Sequence, residues 1–313
     1  MASSQFSGNA KPGGASESVD SDVFTFMTVA LIAPLIVWVV RAIQYAKLRA
    51  NSVRMSPTQF PEGYQMVVEA AQKFGLRKVP DAYVVLGNGV VNAFASGHGY
   101  RRFVAVHSDV FEIGGKARDP ETLRFVIGHE VGHIAAGHTS YFRLVFTVVG
   151  SKIPLFGSTV SRAQEYTADN YGYYFAPQGA PGVIGLLSAG KYLGEQVNFH
   201  AFADRAATER GLWLHIQSWM ASHPINIWRA HALRDRSKHG RLIVAPRRET
   251  AQFAPLLPAA SDKTPVWPTP DQASELGQRV GPATSEEQFG RYPGRRYELP
   301  ADALRLASPN PQS

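Results

Sequence analysis

The sequence predicts an α+β protein, in which a mainly helical core with a small β-sheet follows one N-terminal transmembrane helix. Three observations support this prediction. Residues 23–40 form an uncharged apolar run, residues 82–107 contain short apolar segments between glycine and asparagine turns, and apolar residues recur at helical spacing after residue 119. With 313 residues, the chain can hold one substantial domain plus appendages.

The apolar run at residues 23–40 is predicted to cross a membrane. It is just long enough to span a bilayer, Trp38 near its end suits the membrane interface, and Pro34 is tolerated in membrane helices. A secretory signal peptide would have a basic start and a shorter apolar core, so we predict an uncleaved anchor. A buried core helix is the alternative. Residues 1–22 are rich in Ser, Gly and Ala and are predicted to be a flexible tail.

The charges on the two sides of the span predict its orientation. Arg41, Lys47, Arg49 and Arg54 follow the span, whereas only Lys11 precedes it. Because cytoplasmic flanks carry the excess of Lys and Arg, we expect the C-terminal domain on the cytoplasmic side of the cell membrane. The net charge of +7 favours contact with anionic membrane lipid. Nucleic acid is not an expected partner, because no clustered basic and aromatic face is evident.

Short strands are predicted at residues 82–86, 90–95 and 102–107, after a helix at residues 57–76 whose apolar stripe faces the core. An edge strand of such a sheet can bind an extended polypeptide by adding it as a further strand. The chain has no cysteine, which excludes disulfides and thiolate metal sites.

The sequence His-Glu-Val-Gly-His at residues 129–133 is the strongest chemical signal in the chain. On a helix, His129 and His133 lie one turn apart on the same face and can bind one zinc ion, with Glu130 beside it to handle a proton. Two imidazoles and one further protein ligand would leave a position open for water, whose pKa zinc lowers to about 7. This chemistry is suited to hydrolysis of a peptide bond.

The motif is predicted to lie on a well-defined helix. Asp119 is a suitable N-cap, Pro120 suits the first helical position and Glu121 places an acid in the first turn. Apolar residues then follow at helical spacing up to Ile134.

The third ligand is expected on a later helix. His138 lies nine residues after His129, which differs from the metzincin spacing and would place it on the opposite side of a continuous helix. We therefore interpret His138 as a helix-end residue that the helix dipole favours. Glu165 and Asp169 are four residues apart and share a helical face. Either carboxylate could complete the site, while the other accepts a hydrogen bond from a ligand histidine.

The motif at residues 129–133, followed by Ser161-Arg162-x-x-Glu165-x-x-x-Asp169, resembles peptidase family M48, the zinc metallopeptidases that include the HtpX-type heat-shock protease and the CAAX prenyl protease. The resemblance implies a gluzincin-like core with one zinc ion. It assigns zinc binding to His129, His133 and Glu165, general acid–base catalysis to Glu130, and the hydrogen bond to a ligand histidine to Asp169.

Two weaker matches extend the resemblance. Asn92-Ala93-Phe94 is similar to the family's segment near the substrate-binding edge strand, and His223-Pro224 followed by Arg229 is similar to a late family element. The resemblance implies substrate binding for Asn92, Ala93, Phe94 and Arg229, or an orienting role of Arg229 toward the loop of His223. It also implies that His223 stabilises the oxyanion of the tetrahedral intermediate.

These matches define the predicted domains. A basic juxtamembrane linker at residues 41–59 leads to a metallopeptidase domain at residues 60–240. Within the domain, the interrupted apolar stretch at residues 144–156 is predicted to be a membrane-facing hairpin or active-site flap, with a buried loop as the alternative. Helices are also predicted around residues 181–194, 208–221 and 225–237.

The proline-rich tail at residues 241–313 is predicted to be mostly disordered. We predict that this tail competes with substrate for the cleft, because it is attached to a domain whose edge strand accepts extended chain. A passive tail is the alternative.

Together, the motifs predict a membrane-anchored zinc endopeptidase that cleaves unfolded or membrane-associated polypeptides, in the manner of protein quality control. A prenyl-protein-processing protease and a non-catalytic, zinc-stabilised membrane scaffold are the alternatives. Glu130 argues against the scaffold, because a structural zinc site has a closed fourth ligand and no need of a base.

Overall fold

A computed structural model describes residues 14–114, 119–150, 153, 155–247, 269–272 and 274–275. Within these ranges the chain is mainly helical with one small sheet, which confirms the predicted fold class. The helices are α1 (Gly14–Asn51), α2 (Pro61–Lys73), α3 (Ser108–Gly114), α4 (Pro120–Ala135), α5 (Tyr141–Gly150), α6 (Phe156–Phe175), α7 (Ala180–Leu193), α8 (Phe199–Thr208), α9 (Leu212–Met220) and α10 (Asn226–Arg234). The strands are β1 (Val53–Arg54), β2 (Asp81–Val85), β3 (Ala93–His98) and β4 (Arg101–His107).

Helix α1 is longer than the predicted span. It begins at Gly14, inside the predicted tail, and residues 41–51 of the predicted linker continue it as far as Asn51. Among the described residues, it is the one helix that is long and apolar enough to cross a membrane. Residues 41–51 stay helical because they pack on the sheet, where Leu48 is buried and the rings of Tyr45 and Phe103 stack at 5.2 Å.

The four strands form one mixed sheet in the order β1-β2-β4-β3. Strands β2 and β4 pair in parallel, whereas β3 pairs antiparallel with β4 and occupies an edge. The two faces of this sheet are covered differently. One face packs against the second half of α1, and the other contributes Val84, Val104 and Val106 to the main core.

Strand β3 begins three residues later than the sequence predicts. Residues 86–92 form a loop instead, in which Asn88 and Gly89 have positive φ angles of 50° and 85°. The loop is held by side chains that follow β4, since the Gly87 amide donates to Ser108 Oγ at 3.1 Å and the Gly89 amide donates to Asp109 Oδ2 at 3.2 Å. Such long-range hydrogen bonds cannot be identified from the local sequence pattern.

Helix α4 forms the centre of the main core. Its predicted start is confirmed, because the Thr122 amide donates to Asp119 Oδ1 at 3.1 Å and Pro120 is the first helical residue. Helix α6 packs closely against it at two glycines. A Cβ atom on Gly132 would lie 2.4 Å from the Cβ atom of Tyr171, and one on Gly128 would lie 2.9 Å from the Cβ atom of Phe175. These glycines therefore allow the two site-bearing helices to approach each other.

Residues 141–150 form helix α5 rather than a buried loop. The helix packs along α1, and its Phe142 and Phe146 side chains are exposed to solvent. Helix α8 was not predicted by the sequence pattern. It begins at an Asn198 cap, whose Oδ1 accepts from the Ala201 amide at 3.0 Å.

The start of the predicted C-terminal tail is ordered against the domain. Arg162 Nε donates to the Leu242 carbonyl at 3.1 Å, and Trp219 Nε1 donates to the Ile243 carbonyl at 2.8 Å. The predicted disorder of the remaining tail, and its predicted competition with substrate, concern residues almost entirely outside the described ranges.

Candidate metal centre

Three potential metal ligands converge between α4 and α6. The Nε2 atoms of His129 and His133 lie 3.2 Å apart, and each lies 3.5 Å from an oxygen of Glu165. In a tetrahedral site with metal–ligand distances of 2.0–2.1 Å, ligand atoms are about 3.3 Å apart. The three side chains therefore already have the separation that such a site requires. All three lie on helices, His129 and His133 one turn apart as predicted.

Asp169 can fix the tautomer of His129. Its Nδ1 lies 2.9 Å from Asp169 Oδ1, so the ring can donate from Nδ1 and direct the lone pair of Nε2 toward the metal position. Asp169 is itself buried and paired, since Arg229 donates to its two oxygens from Nε at 2.7 Å and from Nη2 at 2.5 Å. Burial alone would raise the pKa of Asp169, but the charge of Arg229 holds it below its usual value.

Arg229 does not lie where it could bind substrate, as its predicted role requires. Only 7 % of the residue is exposed, and its guanidinium is bonded to Asp169. It is thus placed to orient Asp169, rather than to contact a polypeptide in the cleft. A periodicity analysis cannot find this pairing, because 60 residues separate the two partners along the chain.

His138 also joins the site, which the sequence analysis missed. Its Nδ1 lies 2.8 Å from Nδ1 of His133. Helix α4 ends at Ala135, and Gly137 turns the chain through a left-handed conformation with φ of 71°. The ring of His138 is therefore brought back toward His133 instead of lying across a continuous helix. A glycine directly before the histidine is the signal that could have indicated this helix end.

The contact between these two rings uses Nδ1 of His133 and leaves its Nε2 directed toward His129 and Glu165. Burial lowers the pKa of His133 to about 3 and that of His138 to about 4, so both rings are neutral near pH 7. If Nε2 of His133 faces the metal, its Nδ1 carries the hydrogen and donates it to His138.

Replacing His138 with Ala is therefore expected to weaken metal binding by about 10- to 100-fold, because His133 loses the acceptor that orients its ring. His138→Gln should recover part of this loss, since an amide oxygen can accept the same hydrogen bond. Competition with a chromogenic chelator measures the affinity, and the exposed His239→Ala is the matched control. An affinity of His138→Ala equal to that of the control would contradict the assignment.

Glu130 lies on α4 next to His129 but is not one of the three converging groups. Only 6 % of the residue is exposed, and burial raises the pKa of its carboxyl to about 7. A carboxyl with this pKa can accept and return a proton near neutral pH.

His223 lies at the entrance of the site. Its Nδ1 is 3.0 Å from Glu165 Oε2, and 69 % of its side chain is exposed. The hydrogen bond to Glu165 raises the pKa of His223. Its loop is held by Arg162, which is fully buried on α6 and donates to the carbonyls of Trp219 and Ala221 at 3.1 and 2.7 Å. Arg162 thus links the helix of Glu165 to the loop of His223, a role that the sequence analysis did not assign.

The predicted substrate-binding segment lies at the start of the edge strand. Asn92 is exposed and precedes β3, while Ala93 and Phe94 are paired with Val106 and Ala105 of β4. Strand β3 also packs along α4, the helix that carries both histidines. A chain added to the free edge of β3 would therefore run beside this helix.

Two comparisons with known proteins bear on these residues. The model of "Peptidase family M48" matches residues 57–152 and 140–237, which together cover more than half of the chain. A comparison with curated proteins gives no match.

Proposed function

Because the chain belongs to peptidase family M48, we propose that it is a membrane-anchored, zinc-dependent endopeptidase that cleaves unfolded or membrane-associated polypeptides. The observation that carries this proposal is the spacing of the three ligand atoms, at 3.2 to 3.5 Å, beside a buried carboxyl that is not a ligand. Two nitrogens and one oxygen are a ligand set typical of catalytic zinc, which keeps one position open.

The side chains have separate roles in this proposal. His129, His133 and Glu165 would hold one zinc ion, which supplies a Lewis acid that polarises the scissile carbonyl and lowers the pKa of water. Glu130 takes a proton from the attacking water and then gives a proton to the leaving amine. His223, with its raised pKa and exposed ring, is placed to donate to the oxyanion that develops on the carbonyl.

Substrate is proposed to bind along the free edge of β3. Asn92, Ala93 and Phe94 would line this edge. The Asn92 carbonyl already accepts from the His107 amide at 2.9 Å, so by the alternation of an antiparallel pair it is Ala93 whose backbone groups face an added chain. Such strand addition favours unfolded polypeptides over folded ones. This preference supports a role in protein quality control. A prenyl-protein-processing role has no observation of its own in its favour.

The membrane anchor is proposed to be α1, with the domain on the cytoplasmic side. The length and apolar character of residues Ser21–Asn51 support the anchor, and the basic residues that follow the apolar run support the orientation. A non-catalytic zinc scaffold is disfavoured, because a buried carboxyl with a pKa near 7 suits proton transfer and adds nothing to a structural site.

The proposal predicts that the detergent-solubilised chain cleaves casein, which is unfolded, at internal peptide bonds and leaves a stably folded protein intact. Mass spectrometry of the fragments identifies the bonds. Release of single residues from chain ends only, or equal cleavage of the folded protein, would contradict an endopeptidase that binds extended chain.

The rate of hydrolysis by the zinc-loaded chain is expected to fall with decreasing pH, over a range that lies below about 7. Burial raises the pKa of Glu130 to about 7, and below this value the protonated carboxyl cannot accept a proton from water. A bound cation would stabilise the carboxylate and shift the loss to lower pH. The profile of kcat/KM, with zinc content measured at each pH, tests this. A rate that increases as the pH is lowered from about 7 to about 5 would contradict the role of Glu130.

A further inference from the structure

One buried arginine connects the apolar helix to both sides of the proposed cleft. Arg41 directly follows the apolar run and is 5 % exposed. Its Nε donates to the carbonyl of Gly97 near the end of β3, and its Nη2 donates to the carbonyl of Thr139, just past α4, at 2.9 Å. A single side chain at the end of the apolar run therefore links the edge strand to the turn that follows the metal-binding helix.

Further contacts extend along α1 on both sides of Arg41. Ser96 Oγ donates to Gln44 Oε1 at 3.2 Å, and the rings of Trp38 and His98 lie 5.6 Å apart. Tyr141 Oη donates to the Pro34 carbonyl at 2.8 Å, at a position well inside the apolar run. The domain therefore packs against the membrane helix itself and is not suspended from a flexible linker.

Exposed aromatic side chains lie on the segments that meet at this junction. Trp38, His98, Gly99 and Tyr141 line a cavity with Arg41, and the residues that follow Gly99 and Tyr141 along the chain are Tyr100 and Phe142. Tyr100 is fully exposed, and 83 % of Phe142 is exposed.

Phe146 lies one turn further along α5 and is 61 % exposed. On α1, half of Trp38 is exposed. We call Trp38, Tyr100, Phe142 and Phe146 the docking face.

The chemistry of the docking face fits a bilayer surface. Tryptophan and tyrosine are enriched at membrane interfaces, where one part of the ring is apolar and the other contacts water. Basic residues follow the aromatic ones along the chain, with Arg101 after Tyr100 and Arg143 after Phe142. Arg101 contacts Asp81 at 3.5 Å and Arg143 donates to the Ala136 carbonyl, but both residues are exposed. Such residues attract anionic lipid headgroups. The face is also continuous with the helix that is proposed to cross the membrane.

We propose that this docking face seats the domain on the bilayer and that the enzyme cleaves membrane-embedded polypeptides within about ten residues of the bilayer surface. The proposal rests on the peptidase function proposed above and adds to it the position of the cleaved bond, which is set by distance from the bilayer. Hydrolysis breaks one C–N bond and adds the elements of water, which gives a new carboxylate and a new amine.

The distance between anchor and metal position supports this window. Arg41 contacts the carbonyl of Thr139, the neighbour of His138, whose ring centroid lies 5.0 Å from that of the ligand His133. With adjacent Cα atoms about 3.8 Å apart, this path places the metal position within about 20 Å of the Arg41 guanidinium. An extended chain covers about 20 Å in roughly six residues.

A pair of reconstituted substrates tests the proposal. The full chain is incorporated into vesicles of phosphatidylglycerol and phosphatidylcholine together with a single-span polypeptide that carries an unstructured extension. A second substrate has an insertion of about ten residues, roughly 33 Å when extended, at the bilayer boundary. Mass spectrometry locates the cleaved bonds in both substrates.

We expect the cleaved bonds to stay within about ten residues of the bilayer in both substrates, so that the second is cut in its insertion. Two results would overturn the proposal. The second substrate could be cut at the same sequence as the first, now farther from the bilayer, or cuts could be spread along the whole extension. Casein hydrolysis in detergent distinguishes failure of this proposal from failure of the peptidase function. If wild-type protein does not cleave casein, the peptidase function itself fails.

Substitutions in the docking face test directly whether it sets the position of the cleaved bonds. The triple variant Tyr100→Ser, Phe142→Ser and Phe146→Ser should hydrolyse casein at the wild-type rate with unchanged zinc content. Its cuts in the vesicle substrates should extend well beyond the wild-type window, because α1 and the domain, still joined through Arg41, can then tilt together relative to the bilayer. The same window in the variant and in wild-type protein would refute the docking face.

Discussion

Replacing Glu130 with Gln is expected to abolish peptide hydrolysis while zinc stays bound. The amide keeps the shape of the side chain but cannot accept a proton from water, and general base catalysis contributes about 10²- to 10⁴-fold to the rate. His129, His133 and Glu165 are unchanged in this variant, so the metal should remain at one equivalent per chain. Casein cleavage and zinc content are measured on the same preparation.

A control on the same helix makes this result specific. Glu121 lies in the first turn of α4, where its carboxylate contacts Arg124 at 3.6 Å and is partly exposed. Glu121→Gln removes the same charge at a distance from the ligands and should retain wild-type turnover. Near-normal hydrolysis by Glu130→Gln would remove the proposed mechanism.

Replacing Glu165 with Ala is expected to have the opposite signature, loss of zinc together with loss of activity. The substitution deletes one of three protein ligands and leaves the two imidazole nitrogens, 3.2 Å apart, without their third partner. It also removes the acceptor of His223 at 3.0 Å. Zinc content after dialysis and the rate of casein cleavage should both fall to near background.

Asp169→Asn provides the graded comparison. An amide still accepts from His129, so metal affinity or activity should fall only about 10- to 100-fold. The structure adds an effect on stability, because the buried Arg229 would lose its counter-charge. Breaking a buried ion pair in this way costs about 3–5 kcal/mol. If Glu165→Ala keeps its zinc and His138→Ala loses it, the ligand assignment is wrong.

The parts of the site that could be predicted are those with local signals. Asp119, Pro120 and the apolar spacing after them define α4, so the shared face of His129 and His133 follows from the sequence alone. The apolar run at residues 23–40 likewise predicts a membrane span from its own length and composition. Glu165 required the resemblance as well, because an acid pair four residues apart also occurs on solvated helices.

The parts that could not be predicted depend on contacts between distant segments. Arg229 is buried because it pairs with Asp169, and residues 41–51 are helical because Leu48 and Tyr45 pack on the sheet. The contact of His138 with His133 requires a left-handed turn at Gly137, which breaks the periodicity that a continuous helix would have. Each of these features arises from tertiary packing, which hydrophobic periodicity does not report.

Titration of metal-free protein with zinc tests the central claim most directly. The rate of casein cleavage is followed as zinc is added to the chelator-stripped full chain in detergent. We predict that activity rises in proportion to bound zinc and reaches its maximum at one zinc ion per chain, held by His129, His133 and Glu165. Full activity without bound metal, or no hydrolysis once one zinc ion per chain is bound, would contradict the account.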